Sequence, residues 1–423
     1  MKNYLILFSI FALALFLRFY NYENRITFGP EQARSLMVSS NYIKDKPSLL
    51  GQEYFRANSL GHKLYTSALF NYTLVPLLVV SKYDPYLITI YFTFLNILTA
   101  VVVYILSKKM FGKTISLITT FLFLFNSYMI YHSMFIWVLN YLPLIGMVSV
   151  YLVWKIYKQS LPLRGKHKSN IYDILFLGVL SGIGFGLEYL YLIAILIIFY
   201  FLLKCSKERV KHALLFILGG AIGDFPQVFF DLRHNFYHLR SLFQYAIDTF
   251  AGSSDAGFTY YHFLMFWPVG LLLLSFVIYT IYNKNKYVGL MVLSIYFLLN
   301  INSTLINFNK PVGMENGLKY KDLKYASKII SDRSGDNFNV ATLYDFDTRG
   351  YTLRYFVQHV YGKNPKNDVY YKDVDEIYTL SKSNYDFKNN NPWELNVFKP
   401  YNIENIENIG EGYSLFRLTK LRE

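Results

Sequence analysis

Positions 86–131 read "YLITIYFTFLNILTAVVVYILSKKMFGKTISLITTFLFLFNSYMIY". Two apolar runs, Tyr86–Ser107 and Thr114–Tyr131, flank a short connection holding Lys108, Lys109 and Lys113. Each run approaches the roughly 20 residues that carry a helix across a hydrocarbon core of about 30 Å. A short connection with three lysines is retained on the cytoplasmic side. The stretch is therefore a transmembrane hairpin with its turn inside, and the rest of the chain is counted from that orientation.

Eight further apolar runs surround it: Tyr4–Tyr20, Leu64–Val80, Phe135–Tyr157, Ile171–Gly186, Tyr189–Leu203, Ala213–Phe230, Tyr261–Tyr282 and Tyr287–Leu305. Further basic connections lie at 155–168, 204–211 and 284–286. If every run crossed from a cytoplasmic N-terminus, the first basic connections would alternate wrongly. Removing one crossing between Tyr20 and Tyr86 repairs all of them. Leu64–Val80, which holds Asn71 and Pro76, is the run to remove. It reads as a re-entrant or juxtamembrane helix, tolerated where protein or a cavity covers it. Ile171–Gly186 and Tyr189–Leu203 then cross as a hairpin of two short spans. The expected fold is an α-helical polytopic membrane protein of about nine spans, in the plasma membrane, with its N-terminus cytoplasmic.

The first run follows Lys2, contains Arg18 and is not followed by a small-residue cleavage site, so it reads as a retained signal anchor. The net charge of +14 is accounted for by loop lysines and calls for no nucleic-acid partner. A single cysteine, Cys205, excludes an intrachain disulfide and any multi-cysteine metal site.

From residue 307 the chain turns polar. "GLKYKDLKYASKIISD" has helical spacing, "FNVATLYD", "EIYTLSK" and "YSLFRLT" read as strands, and "TRGYTLRYFVQHVYG" reads as a helix. The expected division is residues 1–306, a transmembrane domain with a long first outer loop over 21–85, and residues 307–423, a small extracytoplasmic α/β domain.

The first outer loop is richest in chemistry. "FGPEQARSLMVSSNYIK" places Pro30 and Glu31 where a helix start favours them. Two readings fit: an amphipathic helix on the membrane with Glu31 paired to Arg34, or a carboxylate beside a cavity that takes a proton from an acceptor hydroxyl. "GQEYFRANSLGHKLY" adds Arg56 and Lys63, and "FFDLRHNFYHLR" adds Asp231, Arg233 and His234 on the same side. Such clusters suit a phosphate clamp or lipid-headgroup contact equally. Glu188 and Asp224 are acids within or beside apolar runs, and Asn140 stands near a helix start as a cap or a ligand contact. The Asp-x-Asp of "YDFDTRG" fits a turn better than a metal site. Walker A, Rossmann, zinc and nucleophile-elbow patterns are missing.

"FLRFYNYENRITFGPEQAR", the following "LLGQ", "DPYLITIYFTFLNILTAVVVYILSKKMFGK", "GVLSGIGFGLEYLYLIAIL" and "FFDLRHNF", in that order, resemble the GT-C membrane glycosyltransferases. They are most like the prokaryotic branch of the protein O-mannosyltransferase and aminoarabinose transferase superfamily. The resemblance implies a polyprenyl-phosphate-linked sugar as donor and an acceptor glycan, lipid or protein on the extracytoplasmic side. It also implies inversion, with no metal or other cofactor required. It makes Glu31 the catalytic base, where relatives usually carry Asp, and passes donor-phosphate contact to Lys63 and Arg233, with His234 and Arg56 as further candidate cations for the leaving phosphate. Gln32, Arg34, Asn140, Glu188 and Asp231 would line the substrate cavity. Two other readings compete: a lipid-linked sugar flippase, and a catalytically lapsed relative acting in envelope assembly.

Overall fold

The computed structural model describes residues 2–160, 171–205, 208–252, 259–389 and 391–421. The expected basic connection over 161–168 lies outside them. Chain order begins α1 (Lys2–Phe19), α2 (Pro30–Lys44), β1 (Leu50–Ala57), β2 (Lys63–Ser67), α3 (Leu69–Ser81), α4 (Pro85–Phe111), α5 (Lys113–Leu124) and α6 (Ser127–Ser133). It continues α7 (Leu142–Ser160), α8 (Ile171–Leu187), α9 (Leu192–Cys205), α10 (Arg209–Gly223), α11 (Phe225–Arg233), α12 (Tyr237–Phe250), α13 (Trp267–Lys284) and α14 (Lys286–Ile301).

The opening stretch forms α4 to α6. Pro85 starts α4, and the Asp84 carboxylate accepts the Tyr86 N–H as its cap. Gly112, at φ 85°, ends α4 and begins α5. The run expected over Thr114–Tyr131 is not one straight helix. It bends by 58° between α5 and α6, where Asn126 caps the new helix by accepting the Met129 N–H. The run expected over Ala213–Phe230 breaks more sharply, by 89° at Asp224. Pro226 has no N–H to continue the ladder there.

By length and composition three helical stretches can cross a membrane: Pro85–Phe111, Val138–Gln159 and Tyr260–Lys284. Counting each bent pair as one span raises this to five. Other expected crossings fall on shorter apolar helices: Leu5–Phe19, Ile171–Leu187, Tyr189–Cys205 and Lys286–Ile301. At 1.5 Å per residue a 17-residue helix is only about 25 Å long, so crossing would need a locally thinned bilayer. The count of nine therefore stays a proposal. The Leu64–Val80 run splits: Leu64–Ser67 belong to β2, and the 13-residue α3 follows.

Helices α8 and α10 cross in close contact. Gly178 and Gly182 on one, and Gly219 and Gly223 on the other, stand four residues apart and meet backbone to backbone. A Cβ at Gly182 would lie 2.1 Å from the Gly220 carbonyl oxygen, and one at Gly223 equally close to that of Val179. Small residues at this spacing let helices approach where lipid offers no hydrophobic drive.

The last part of the chain holds α15 (Tyr320–Arg333), β3 (Phe338–Thr342), α16 (Tyr351–Tyr355), β4 (Glu376–Lys382), α17 (Trp393–Asn396), β5 (Tyr401–Ile409) and β6 (Tyr413–Lys420). The sheet order is β3-β4-β6-β5, with β3 and β4 parallel and the other pairs antiparallel. The expected helices and three strands are present. The edge strand β5 was not foreseen, since its Asn/Glu-rich "YNIENIENI" is exposed on both faces and lacks an apolar alternation. This part shares a core with the helical part. Tyr320, Tyr355 and Phe356 surround Phe28, with ring centroids 5.1–6.2 Å away. Asp84 accepts hydrogen bonds from Tyr320 (2.6 Å) and Lys324 (2.8 Å).

Candidate active site

Helix α2 starts as the sequence required, with Gly29 extended at the cap, Pro30 first and Glu31 in the opening turn. One flank of α2 rests on α3 and β1. Asn71 Nδ2 donates to Ser39 Oγ (3.0 Å), and Ser35 Oγ donates to Gln52 Oε1 (2.9 Å). On the other flank lies α16. Glu31 is an exposed residue. The surrounding protein still removes enough water that burial raises its pKa, against the positive field of Arg34.

Arg34 ties three parts together. Its Nη2 donates to the Glu53 carbonyl at 3.1 Å, and its guanidinium lies over the Tyr351 ring at 5.3 Å. Burial lowers its pKa, opposed by Tyr351, Asp347, Glu53 and Asp368. Glu53 in turn pairs with Lys63 across the β1–β2 hairpin at 3.0 Å, which raises Lys63. Glu31, Arg34 and Lys63 are thus linked through α2 and the hairpin. The Arg56 side chain lies outside the described residues.

Tyr54, on β1, lies within electrostatic reach of both Glu31 and Glu188. Burial raises its hydroxyl well above the usual range, and the negative fields of Glu188, Tyr245 and Glu31 add to the effect. Glu188 Oε1 accepts the Leu190 N–H at 3.1 Å as a cap, and Oε2 meets His262 Nδ1 at 3.1 Å. Gln32 Oε1 accepts the Ile136 N–H at 3.2 Å, while its buried Nε2 has no hydrogen-bond partner among the described residues. Asn140 Nδ2 donates to the carbonyls of His132 (2.9 Å) and Phe135 (2.7 Å), closing the loop beside Gln32.

The other proposed phosphate contacts sit apart from this row, at the end of α11. Arg233 and His234 are exposed; the first lies over Phe229 at 5.6 Å and the second stacks on Phe230 at 4.1 Å. Asp231 caps α12, accepting the His238 N–H at 2.8 Å. Helices α11 and α12 pack on the hairpin that carries Lys63, which is the structural link between the two basic clusters.

A buried polar knot was missed at the sequence level. The Tyr189 hydroxyl donates to the Tyr65 carbonyl (2.6 Å), accepts from Gln227 Nε2 (2.9 Å) and meets His238 Nε2 (3.1 Å). Its one sequence signal is the position of Tyr189 directly after Glu188. Asp224 accepts from Ser67 Oγ at 2.8 Å, a structural partner. The Asp-x-Asp forms the expected turn: Asp345 accepts the Asp347 N–H (2.9 Å) and Asp347 accepts the Tyr351 N–H (2.7 Å). Burial raises them to about 7 and about 6; Asp347 adds to the rise at Asp345, and Arg354 and Arg34 moderate that at Asp347. The described residues hold no group of three metal-ligating side chains.

No protein-family model and no curated protein sequence matches this chain. Solved structures do. ArnT from Cupriavidus metallidurans in the apo state superposes with a TM-score of 0.52 at 10% identity, covering 97% of each chain. The chain has the fold of ArnT. The same protein bound to undecaprenyl phosphate gives 0.48 at 10% identity, again over 97% of each chain. The Archaeoglobus fulgidus oligosaccharyltransferase gives 0.46 at 11% identity, covering 89% of this chain and 68% of that one. At 97% of the chain the ArnT superposition takes in both the helical part and the C-terminal sheet.

Proposed function

We propose that the chain is an integral-membrane glycosyltransferase that moves a sugar from a polyprenyl-phosphate donor to an acceptor hydroxyl on the extracytoplasmic side. The observation that carries this reading is the full-length fold likeness to ArnT, a protein also solved with undecaprenyl phosphate bound. The placement of Glu31 in α2, flanked by Arg34, Tyr54 and the hairpin, supports the assignment of the base.

In this mechanism Glu31 takes the proton of the acceptor hydroxyl, whose oxygen attacks the anomeric carbon. The bond from that carbon to the phosphate oxygen breaks, and polyprenyl phosphate leaves with the electron pair. The configuration inverts. Burial raises the Glu31 carboxylate against the field of Arg34, which makes it a stronger base. The departing charge needs prearranged cations, and Lys63, Arg56, Arg233 and His234 are assigned that role. Arg34, and Glu188 with its partner His262, are assigned to the substrate site. The acceptor is the hydroxyl of a glycan, lipid or protein.

The two bent helices are a feature a lipid-linked sugar flippase would also use. Transfer of radiolabelled sugar by purified protein separates the readings. Glu31→Gln should lower transfer by at least about 100-fold, the loss of a general base, with insertion and folding retained. Near-normal turnover in that variant would remove Glu31 as base; donor translocation without transfer by the parent protein would favour the flippase.

A further inference from the structure

Helices α11 and α12 are inside out. On α12, Phe236, Leu239, Phe243, Ile247 and Phe250 form one exposed apolar stripe, with Phe243 69% and Phe250 88% exposed. At about 100° per residue, His238, Ser241 and Asp248 fall on the opposite side, and all three are buried. On α11, Phe225, Phe229 and Leu232 are exposed while Gln227 and Asp231 are buried. The polar faces are committed to protein. Asp248 accepts the Ser59 N–H and hydroxyl, each at 2.8 Å, the Ser241 carbonyl accepts from Asn58 at 3.2 Å, and His238 Nε2 meets the Tyr65 carbonyl at 2.9 Å. Neither helix can roll to hide its apolar stripe without breaking these contacts. An apolar patch of this size, continuous over two helices, needs an apolar covering.

We propose that α11 and α12 lie in the plane of the bilayer, with this stripe immersed in the acyl chains of the leaflet nearest the β1–β2 hairpin. Continuity decides for lipid over a protein partner. Helix α10 belongs to a candidate span and exposes Leu214, Ile217, Leu218 and Ile222. The 89° bend at Asp224 carries that exposed surface directly into Phe225 and Phe229. The 14 residues of α12 extend about 21 Å, too short to cross. Arg233 and Arg240 border the stripe, where long cationic side chains reach headgroups from an apolar seat. The consequence reaches the candidate site. Because Asn58, Ser59 and Tyr65 are bonded to α12, the depth of α12 in the leaflet sets the height of the hairpin, and with it Lys63, above the lipid phosphates. This inference does not depend on the proposed transferase activity.

The test uses the full-length chain in phosphatidylcholine nanodiscs. Cys205→Ser removes the native thiol, and Phe243→Cys or, on edge strand β5, Glu404→Cys accepts a bimane label. Lipid carrying a nitroxide on its acyl chain should quench the label at position 243 by about twofold or more and aqueous iodide should barely affect it, with the reverse at 404. Equal iodide quenching at both positions overturns the proposal by putting the stripe in water. Protection at 243 from both quenchers, with chain-to-chain crosslinking there, overturns it in favour of a second copy. Leu239→Cys serves as the label site if Phe243→Cys does not fold, and the same outcomes decide.

Discussion

Gly182→Ala should destabilise the protein although alanine is the better helix former. The added methyl would stand 2.1 Å from the Gly220 carbonyl oxygen, against a 3.0 Å floor for real Cβ contacts. The clash is with backbone, so α8 and α10 have to part by at least about 0.9 Å at that point, the difference between those two distances. Overpacking of this kind costs about 1–3 kcal/mol. The gain in helix propensity returns roughly 1 kcal/mol. The net loss is up to about 2 kcal/mol, a factor of up to roughly 30 in the folded-to-unfolded ratio. Gly223→Ala meets the Val179 carbonyl from the other helix and should behave alike. The double variant carries the sharper expectation. Once the helices have parted for one methyl, the second finds room, so the pair should cost about 1 kcal/mol or more less than the sum. Gly270→Ala in α13, where an added Cβ meets nothing within 4 Å, is the comparison without overpacking and should keep the propensity gain of roughly 1 kcal/mol. Denaturant titration in mixed micelles reads all four proteins. The reasoning fails if Gly182→Ala is as harmless as Gly270→Ala, or if the double variant is simply additive.

Other outcomes follow from the same geometry. Arg233→Ala should raise the KM for the lipid donor, and an unchanged KM and kcat would remove it from the phosphate site. Burial would raise Asp84, but hydrogen bonds from Lys324, Tyr320 and the Tyr86 N–H outweigh it and its pKa is lowered. Its stabilising contribution is therefore complete above the ordinary carboxylate value and lost as pH falls through the lowered one. Asp84→Asn should weaken docking of α15 by about 1 kcal/mol and flatten that acid dependence, read by amide exchange over Tyr320–Arg333; unchanged exchange would contradict the clamp. A reporter fused after residue 423 should read as extracytoplasmic, and a cytoplasmic signal would refute the nine-span topology.

The long apolar runs were legible because a helix must satisfy its own backbone in lipid, and about 20 apolar residues leave few alternatives. Their breaks were harder. Pro226 was visible as a helix disturbance, but an 89° turn also depends on Asp224 meeting Ser67 from a distant segment. The β1–β2 hairpin escaped notice because its strands are short, bulged and paired only with each other. At the candidate site, the helix start at Pro30 and Glu31 was local and therefore readable. The Tyr351 ring over Arg34 was not, since no local pattern links positions that far apart. The glycine pairs of α8 and α10 stand openly in the sequence, yet spacing alone does not say which helix they face.

The bonds between the first loop and the late chain also impose an order on biosynthesis. Asn21 donates to the Phe308 carbonyl across 287 residues, and Phe28 finds its aromatic neighbours only at Tyr320, Tyr355 and Phe356. A ribosome delivers these partners only after the apolar runs that finish at Leu305. Until then Phe28 has lost its seat and Arg34 its ring. A chain released early is left with an unfinished site and an exposed aromatic, a state that is both inactive and open to proteolytic clearance.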